Sequence, residues 1–538
     1  MIFNIFLVIS IIVLLWVEKI SKKERDIPKW ECFIMFFLFF LFQYITMKAM
    51  GILESGYHFV DDHEFLRFHN YLKDYGLWNA LNMAVKGDMG IRFRFTYIIM
   101  RVFESYLWPN FILLHFIQTI LVALGLYLSY IVARLHKCPI WLAYVFSLLI
   151  YIGPQAEVWW RLGPQENWGV IFFMLTIIAM FRYIRNSSRK NLLCLMIVSF
   201  FLGGTKEAFL ILLPVISIML IMEVMKAEES EVTFRAIIQT IRKHIVAFGW
   251  LWLICIVDII VIIFYVGTNK IGYAGIDSSF GLYNYVYGII NICKHSLGVY
   301  MLSTVILGGG TLIVLVKTTK GVDRSKSIIY YGIEVFIVIL MLSTQLILHA
   351  KSGIFSRYFI PSTIGFGIFW VIYAYRHLEK NRRVKVVYSI FVIIIFTSIS
   401  MTSKVWKKGV EYAESGRNAE AVMQEVAEYR ERNPVVISAM DSELDMSATL
   451  YLQEMYGIKR GYTTFYYNDN EYVTDIHRIS DDELEKIHFT MGDMYITKEN
   501  EEIIQGLMSE HSMDIDEFVR KDHGQYVLYI RKAFIKEP

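Results

Sequence analysis

The sequence predicts a mainly α-helical membrane protein with many spans, followed by a small polar α/β domain. Of its 538 residues, 56% are hydrophobic and 19% are charged, which is too apolar for a soluble globular protein of this length. Long apolar runs recur up to residue 400, and runs of roughly 17–25 residues are typical of membrane-spanning helices. The residues after position 400 are polar. We therefore divide the chain into a membrane domain, 1–400, and a C-terminal domain, 401–538.

Hydropathy places about twelve spans in the membrane domain. No basic residue precedes the first apolar run and no small-residue cleavage site follows it, so we interpret it as an uncleaved span. The predicted spans are 3–16, 33–45, 111–132, 141–152, 168–180, 192–202, 209–222, 245–266, 299–316, 328–348, 358–375 and 387–400.

Basic segments follow alternate predicted spans, among them KISKKERDIPK, RLHK, RYIRNSSRK, KTTKGVDRSK and RHLEKNRRVK. The positive-inside bias predicts that these segments are cytoplasmic. The acidic and aromatic-rich loops then lie on the other side, and so does the C-terminal domain. The net charge of +3 does not indicate nucleic-acid binding, because the basic residues are dispersed among short loops. We expect membrane lipids and no nucleic acid among the partners.

The C-terminal domain alternates predicted helices (411–432, 446–455 and 500–510) with predicted strands (434–440, 494–497 and 525–531). It contains no cysteine, no glycine-rich phosphate loop and no nucleophile motif. We expect it to cover the outer face of the protein or to bind an acceptor. The five cysteines of the chain all lie in or near apolar runs, so no disulfide framework is expected.

The most informative segment is GYHFVDDHEFLRFHNYLKDYG, residues 56–76, in the first predicted outer loop. It carries three candidate catalytic acids, Asp61, Asp62 and Glu64. A second interpretation stays open, because Asp61 followed three residues later by Glu64 is also a capping-box pattern. The two interpretations are compatible, since one acid can cap a helix while its neighbour does chemistry.

Two amphipathic helices are predicted to lie in the membrane interface on either side of residue 90. In the first, Phe65, Phe68, Leu72 and Tyr75 fall at helical spacing. The second is RFRFTYIIMRVFESYLWP, which is apolar but interrupted by charges. Its Arg94 is a candidate ligand for substrate, and lipid headgroups are the alternative partner for its arginines.

Charged and aromatic residues form four clusters on the predicted outer side, where charges at a membrane border tend to be functional. The clusters are Asp61, Asp62, His63 and Glu64; Trp159, Trp160, Arg161, Gln165 and Glu166; Lys206 and Glu207; and His349, Lys351, Arg357 and Tyr358. Because all four fall on one side of the membrane, the sequence predicts that they converge on a shared site.

Each cluster also has an interpretation that involves no substrate. The tryptophans fit an aromatic belt at the interface. Lys206 and Glu207 fit a simple pair at a helix end, and Lys351 and Arg357 fit snorkelling side chains. His63 lies near two acids, as in some metal sites, but no ligand spacing is diagnostic. We therefore assign no metal ligand and no certain cofactor, with a divalent metal left open.

The chain resembles the GT-C superfamily of polytopic glycosyltransferases, which includes the protein mannosyltransferases and aminoarabinose transferases. The resemblance covers the whole chain in architecture and the motifs FVDDHEF, RFRF, TKE and SRYFIP in detail. In that family the acidic loop follows the first span, whereas here it follows the second predicted span. The resemblance implies a polyprenyl-phosphate sugar as donor and a glycan, lipid or protein hydroxyl as acceptor.

The mechanism that this implies is an inverting transfer on the extracytoplasmic side. One of the two aspartates takes the proton of the acceptor hydroxyl, with Asp61 favoured because Asp62 is placed to cap the helix instead. Positive charge stabilises the leaving lipid phosphate; the candidates are Lys206, Lys351 and Arg357. Glu166 or Glu207 positions the sugar or the base.

Two other functions fit a chain of this kind. A flippase or transporter for lipid-linked sugars requires functional charges inside the spans, where Asp258 is the deep acid. A glycan polymerase or ligase is also multi-spanning with outer arginines, but its site is expected in a large late outer loop. Here the late outer loop is short, so the transferase is favoured.

Overall fold

The computed structural model describes residues 13, 14, 17, 27–59, 62–89, 92–153, 155–230, 232–266, 281–350, 356–378, 382–402, 404–429, 434–439, 451, 455–456, 464–468, 471–475, 493–498, 501–510 and 512–535. The chain forms two compact units, and neither is contiguous in sequence. The first unit comprises Met1–Thr46, Leu81–Met100 and Ile117–Trp406. The second comprises Met47–Ala80, Arg101–Phe116 and Lys407–Pro538. The second unit therefore combines the acidic segment 56–76 of the first predicted outer loop with residues from the C-terminal part of the chain.

Helices dominate the described chain. In order they are α1 (Lys29–Met50), α2 (His63–Met89), α3 (Phe95–Glu104), α4 (Phe111–Leu135), α5 (Ile140–Ile152), α6 (Glu166–Arg185), α7 (Arg189–Gly203), α8 (Glu207–Leu210), α9 (Leu213–Ala227), α10 (Phe234–Lys243), α11 (Ile245–Val261), α12 (Leu282–Ile292), α13 (Gly298–Thr318), α14 (Gly321–His349), α15 (Ile360–Gly367), α16 (Ala374–Leu378), α17 (Arg382–Thr402), α18 (Val405–Glu428) and α19 (Glu501–Glu510).

Within the described residues, 8 helical segments are long and apolar enough to cross a membrane. They are Lys29–Met50, Phe111–Leu135, Glu166–Arg185, Glu207–Ala227, Ile245–Phe264, Gly298–Thr318, Arg324–His349 and Ser356–Leu378. This confirms a polytopic helical membrane protein, whereas the number twelve stays a prediction. The predicted spans 141–152 and 192–202 correspond to helices of only 13 and 15 residues. The predicted span 387–400 falls on α17, and most of 3–16 lies outside the described residues.

The spans of the first unit differ in how much protein covers them. The apolar window of Ser356–Leu378 is entirely buried, whereas only 28% of the corresponding windows of Ile245–Phe264 and Gly298–Thr318 is buried. Large apolar side chains such as Phe264 and Val305 are mostly exposed. Apolar faces of this extent fit a lipid environment.

Two close approaches fix the turn GGTKE in the first unit. Gly169 of α6 lies against the ring of Phe209 of α8, where a Cβ atom would clash with the ring. At Gly204 a Cβ would lie 2.5 Å from Phe95, and the Gly204 carbonyl accepts hydrogen bonds from the backbone N–H groups of Thr96 (2.9 Å) and Tyr97 (3.2 Å). The turn is therefore held beside the start of α6 and the start of α3.

The second unit contains a six-stranded mixed sheet of order β3-β2-β1-β4-β6-β5. The strands are β1 (Pro434–Ala439), β2 (Thr464–Asn468), β3 (Glu471–Asp475), β4 (Met494–Thr497), β5 (Phe518–His523) and β6 (Tyr526–Arg531). β1 pairs in parallel with β2 and β4, and the other pairs are antiparallel. α19 packs on this sheet through Ile504 and Met508, which cluster with Tyr495, Phe518 and Tyr529.

The predicted strands β1, β4 and β6 are confirmed, whereas β2, β3 and β5 were not predicted. The predicted helix 500–510 is confirmed as α19, and the predicted helix 411–432 as α18. Most of the predicted helix 446–455 lies outside the described residues.

The first predicted amphipathic helix is α2, which starts at His63 and continues past a non-helical Gly76 (φ 73°) to Met89. Phe65, Phe68 and Leu72 are buried, whereas Tyr75 is 52% exposed. Phe65 stacks on Trp108 at a centroid distance of 6.5 Å. At this end of α2, protein side chains therefore cover the apolar face.

Candidate functional site

Four buried charged side chains meet in the first unit, and we call Arg92, Glu166, Lys206 and Glu207 the charge cluster. The Lys206 ammonium donates to Glu166 Oε1 over 2.5 Å. Arg92 Nε lies 3.7 Å from Glu207 Oε1. The four residues are only 2–8% exposed, so each ion pair is held largely away from water.

Local sequence explains the placement of the two acids. Glu166 and Glu207 are each the first residue of a helix, α6 and α8 respectively. The N-terminus of a helix carries a partial positive charge that stabilises a carboxylate. Gln345 of α14 donates to the Ala208 carbonyl over 2.8 Å, which fixes the start of α8 against a third helix.

The aromatic ring of Tyr358 lies beside the charge cluster. The Lys206 ammonium lies 4.4 Å from the centre of its ring. The Arg357 guanidinium lies 5.3 Å from the same centre, and the His349 ring stacks on it at 4.6 Å. Lys206 therefore contacts both a carboxylate and an aromatic face, an environment that suits a cation.

Burial changes the basicity of the two cations that lie outside the spans. Burial lowers the pKa of Lys206, and the Glu166 carboxylate opposes that shift. Burial also lowers the pKa of Arg92, where the Glu207 carboxylate acts in the opposite direction. An anion that reaches this cluster meets two cations whose hydration has been removed by the fold, which strengthens the electrostatic attraction.

Several predicted site residues have partners that the sequence did not indicate. The alternative interpretation of Lys206 and Glu207 as a simple pair at a helix end is wrong, because each forms its ion pair with a residue on another segment. Arg94 forms two hydrogen bonds to Asp88 Oδ1, at 2.9 and 2.5 Å.

The aromatic-belt interpretation is also wrong, because Trp159 and Trp160 are 2% and 1% exposed and lie inside the protein. Arg161 is half-buried and its carbonyl accepts from Gln118 over 3.0 Å. Lys351 lies outside the described residues.

The second unit contains a different arrangement, the Asp62 pair, which consists of His58 and Asp62. The backbone N–H of His58 donates to Asp62 Oδ2 over 3.1 Å, and His58 Nδ1 lies 3.2 Å from the same oxygen. His58 is 2% exposed and Asp62 is fully buried. Among the residues that the structure describes, no donor is within hydrogen-bond distance of Asp62 Oδ1.

The C-terminal part of the second unit supports this pair. The His58 ring stacks on Tyr412 of α18 with a centroid distance of 3.6 Å and an interplanar angle of 8°. His58 Nε2 lies 2.9 Å from the Tyr412 carbonyl oxygen. The hydroxyl of Tyr451 donates to the His58 carbonyl over 3.0 Å.

A glycine allows α18 to come this close. At Gly416 a Cβ would lie 2.6 Å from His58 Nε2 and would also clash with the Ser55 carbonyl. The Ser55 hydroxyl in turn lies 3.5 Å from His115 Nε2. The Asp62 pair is thus enclosed by polar groups from α4, from α18 and from its own loop.

The remaining predicted acids of the loop differ from Asp62. Glu64 lies in the first turn of α2, with its Oε1 3.6 Å from Arg67 Nη2, and both side chains are partly exposed. An exposed ion pair of this kind contributes little. Asp61 lies outside the described residues. Asp62 does not cap α2, because both hydrogen bonds described for its carboxylate come from His58.

Sequence reasoning missed His58 and underrated Arg92. The four-residue spacing of His58 to Asp62 is present in GYHFVDD, but that spacing alone does not indicate that the two side chains meet. Arg92 was interpreted as a lipid ligand. Its pairing with Glu207 depends on the contact of α3 with the turn after α7, which no local pattern encodes.

A further buried network joins the spans α9, α14 and Ser356–Leu378. Lys226 donates to Glu334 over 2.6 Å and Arg376 to Glu223 over 3.2 Å. His377 Nε2 lies 2.7 Å from Glu334 Oε2. Charges within or beside apolar spans are costly unless they are paired, and here each acid has at least two basic partners.

No group of three histidine, cysteine, aspartate or glutamate side chains among the described residues is arranged to hold a metal ion. No protein-family model matches the chain, and no curated protein matches it.

Proposed function

We propose that the protein is a membrane glycosyltransferase of the GT-C type. It moves a sugar from a polyprenyl-phosphate donor to an acceptor hydroxyl on the extracytoplasmic side, with inversion at the anomeric carbon. The acceptor is a glycan, a lipid or a protein. The observation that carries this proposal is the carboxylate of Asp62, which is buried outside the spans, held through one oxygen by His58.

A transferase of this kind needs a base for the acceptor. A hydroxyl is a poor nucleophile until a group within hydrogen-bond reach removes its proton as the new bond forms. Asp61 and Asp62 follow directly on GYHFV in the acidic loop.

A transferase of this kind also needs positive charge to stabilise the leaving lipid phosphate. Cleavage of the bond from the sugar to its phosphate puts negative charge on the phosphate oxygens, which fixed cations stabilise. Support comes from the charge cluster, where Lys206 and Arg92 are buried side by side with their acids. A phosphate that reaches Lys206 competes with Glu166 for the ammonium group, and the released Glu166 is then available to a sugar hydroxyl.

The test is transfer by purified protein in lipid nanodiscs supplied with radiolabelled polyprenyl-phosphate sugars and with membrane extracts as acceptor. We expect product from wild type and a loss of at least about 100-fold when the catalytic base is removed, measured with Asp61→Asn and Asp62→Asn separately. Asp74→Asn, an exposed position on α2, is the matched control and should retain activity. Wild-type transfer by both Asp61→Asn and Asp62→Asn would reject the proposal.

A flippase for lipid-linked sugars is the second candidate. The paired charges Glu223, Lys226, Glu334 and Arg376 lie within or beside spans, where transporters keep functional charges. Sealed vesicles separate the two functions: a flippase moves the intact labelled donor between leaflets without breaking the sugar–phosphate bond, whereas a transferase releases lipid phosphate in step with glycoside.

A further inference from the structure

We propose that His58 is a positioning residue for the transfer, and that it makes Asp62, with Oδ1 as the proton acceptor, the base of the reaction. This inference rests on the proposed function and deepens it, because the sequence favoured Asp61. It also gives the C-terminal part of the chain a role: α18 and Tyr451 hold the residue that orients the base.

The hydrogen-bond partners of His58 determine its tautomer. The Tyr412 carbonyl oxygen can only accept, so His58 Nε2, at 2.9 Å, must carry a proton and donate. A neutral ring then has no proton on Nδ1. The 3.2 Å contact of Nδ1 with Asp62 Oδ2 therefore holds one further proton that the imidazole and the carboxylate share.

The shared proton explains how the carboxylate of Asp62 can be buried. An unpaired carboxylate without water is strongly disfavoured, and Asp62 is fully buried. With one shared proton the Asp62 pair is neutral. The backbone N–H and the ring of His58 both lie on Oδ2, so Oδ1 is the oxygen that this arrangement leaves for the acceptor hydroxyl.

The proton balance of the step follows from this arrangement. The acceptor oxygen bonds to the anomeric carbon as the bond from that carbon to the phosphate oxygen breaks, and the electron pair leaves with the lipid phosphate. The acceptor proton bonds to Asp62 Oδ1, and the shared proton moves fully to His58 Nδ1. The products are the glycoside, the lipid phosphate and a pair that carries one extra proton, which water removes after product release.

The residues around His58 hold its ring and its backbone carbonyl in place. Its ring is fixed between Asp62 and the face of Tyr412, and the Tyr451 hydroxyl fixes its carbonyl. Burial, followed by the nearby Asp62 carboxylate, raises the pKa of Tyr451 well above its usual value, so Tyr451 stays a neutral donor. His115 of α4 is a second imidazole near the pair, with its Nε2 3.5 Å from the Ser55 hydroxyl.

The experiment compares the pH profiles of kcat/KM for transfer by the full-length protein in nanodiscs. His58→Ala removes the imidazole that shares a proton with Asp62 and leaves this buried carboxylate without its ring partner. We expect the ratio of kcat/KM at pH 5.5 to kcat/KM at pH 8 to be about tenfold lower in His58→Ala than in wild type. His58→Asn restores a donor toward Asp62 and should recover part of the loss. His69→Gln, a histidine of the same unit whose Nδ1 contacts the Ser105 carbonyl, should keep the wild-type profile.

Three outcomes overturn the inference. One is a His58→Ala profile that is lower at every pH by the same factor and is not improved by His58→Asn, which is the signature of a structural role alone. Another is transfer that Asp61→Asn abolishes and Asp62→Asn leaves intact; the proposed function then stands and this inference falls. The third is a decrease in kcat/KM at low pH that appears in His115→Gln and does not appear in His58→Ala. Melting curves identify any variant that fails to fold. If His58→Ala fails to fold, the pH profile of His58→Asn is compared with that of wild type instead.

Discussion

The ammonium group of Lys206 and the carboxylate of Glu166 lie 2.5 Å apart, both almost fully buried, although 40 residues separate them in the chain. The pair joins the turn after α7 to the first turn of α6. It places a cation and an anion at the ends of two apolar helices, beside the ring of Tyr358.

Replacing only one member of the Lys206–Glu166 pair should destabilise the protein. Lys206→Met leaves the Glu166 charge buried without its closest partner, which costs about 3–5 kcal/mol. The double variant Lys206→Met with Glu166→Gln should recover much of that loss, because no charge is then left unpaired. Thermal melting in detergent measures both, with Lys190→Met, an exposed lysine, as control. Equal melting temperatures for the single and double variants would contradict a direct pair.

The pH dependence of donor binding should identify Lys206 as a phosphate ligand. Its protonated form attracts phosphate, and burial lowers its pKa, so donor affinity should fall as pH rises through a range below that of an ordinary lysine. Lys206→Arg keeps its charge throughout, because a guanidinium does not titrate in this range. We expect the alkaline fall in donor affinity to disappear in Lys206→Arg and to persist in Lys190→Arg. An identical alkaline fall in wild type and Lys206→Arg would assign it to another group.

Gly416 should be intolerant of a methyl group. A Cβ there would lie 2.6 Å from His58 Nε2 and would clash with the Ser55 carbonyl, so Gly416→Ala must displace α18 from the loop. We expect a loss of about 1–3 kcal/mol in stability, as in other overpacked sites. Gly506→Ala in α19 is the matched control: a Cβ there meets no atom of the described residues within 4 Å, and alanine favours the helix. Melting temperatures should therefore change in opposite directions, and a neutral Gly416→Ala would contradict the close approach.

The predicted sidedness of the chain can be measured directly. Lys73 of α2 and Lys190 of α7 are both exposed, and the positive-inside bias puts them on opposite sides of the membrane. In a background without native cysteines, Lys73→Cys should react with a membrane-impermeant maleimide on intact cells, and Lys190→Cys should react only after permeabilisation. Reaction of Lys73→Cys only after permeabilisation would place the acidic loop in the cytoplasm and remove the basis of the proposed function.

The predictions that rest on local sequence patterns agree best with the structure. The starts of α6 and α4 lie within a few residues of the predicted spans, because the sharp change from polar to apolar residues is a local property. Strands β1, β4 and β6 were found from short apolar runs. Strands β2, β3 and β5 were missed because their stability comes from cross-strand partners, as in the pairing of Phe518 with Arg531, which no single segment reveals.

The sequence by itself determined that this is a helical membrane protein with a polar C-terminal part and with charged residues at the ends of its apolar runs, because burial of apolar side chains and helix periodicity are properties of single segments. Only the tertiary structure decided which charges meet. Lys206 binds Glu166 and not its neighbour Glu207, and Asp62 binds His58 on a ring that Tyr412 supports. Neighbouring residues at a helix start point in different directions, so a buried charge takes its partner from whichever segment the fold brings within hydrogen-bond reach.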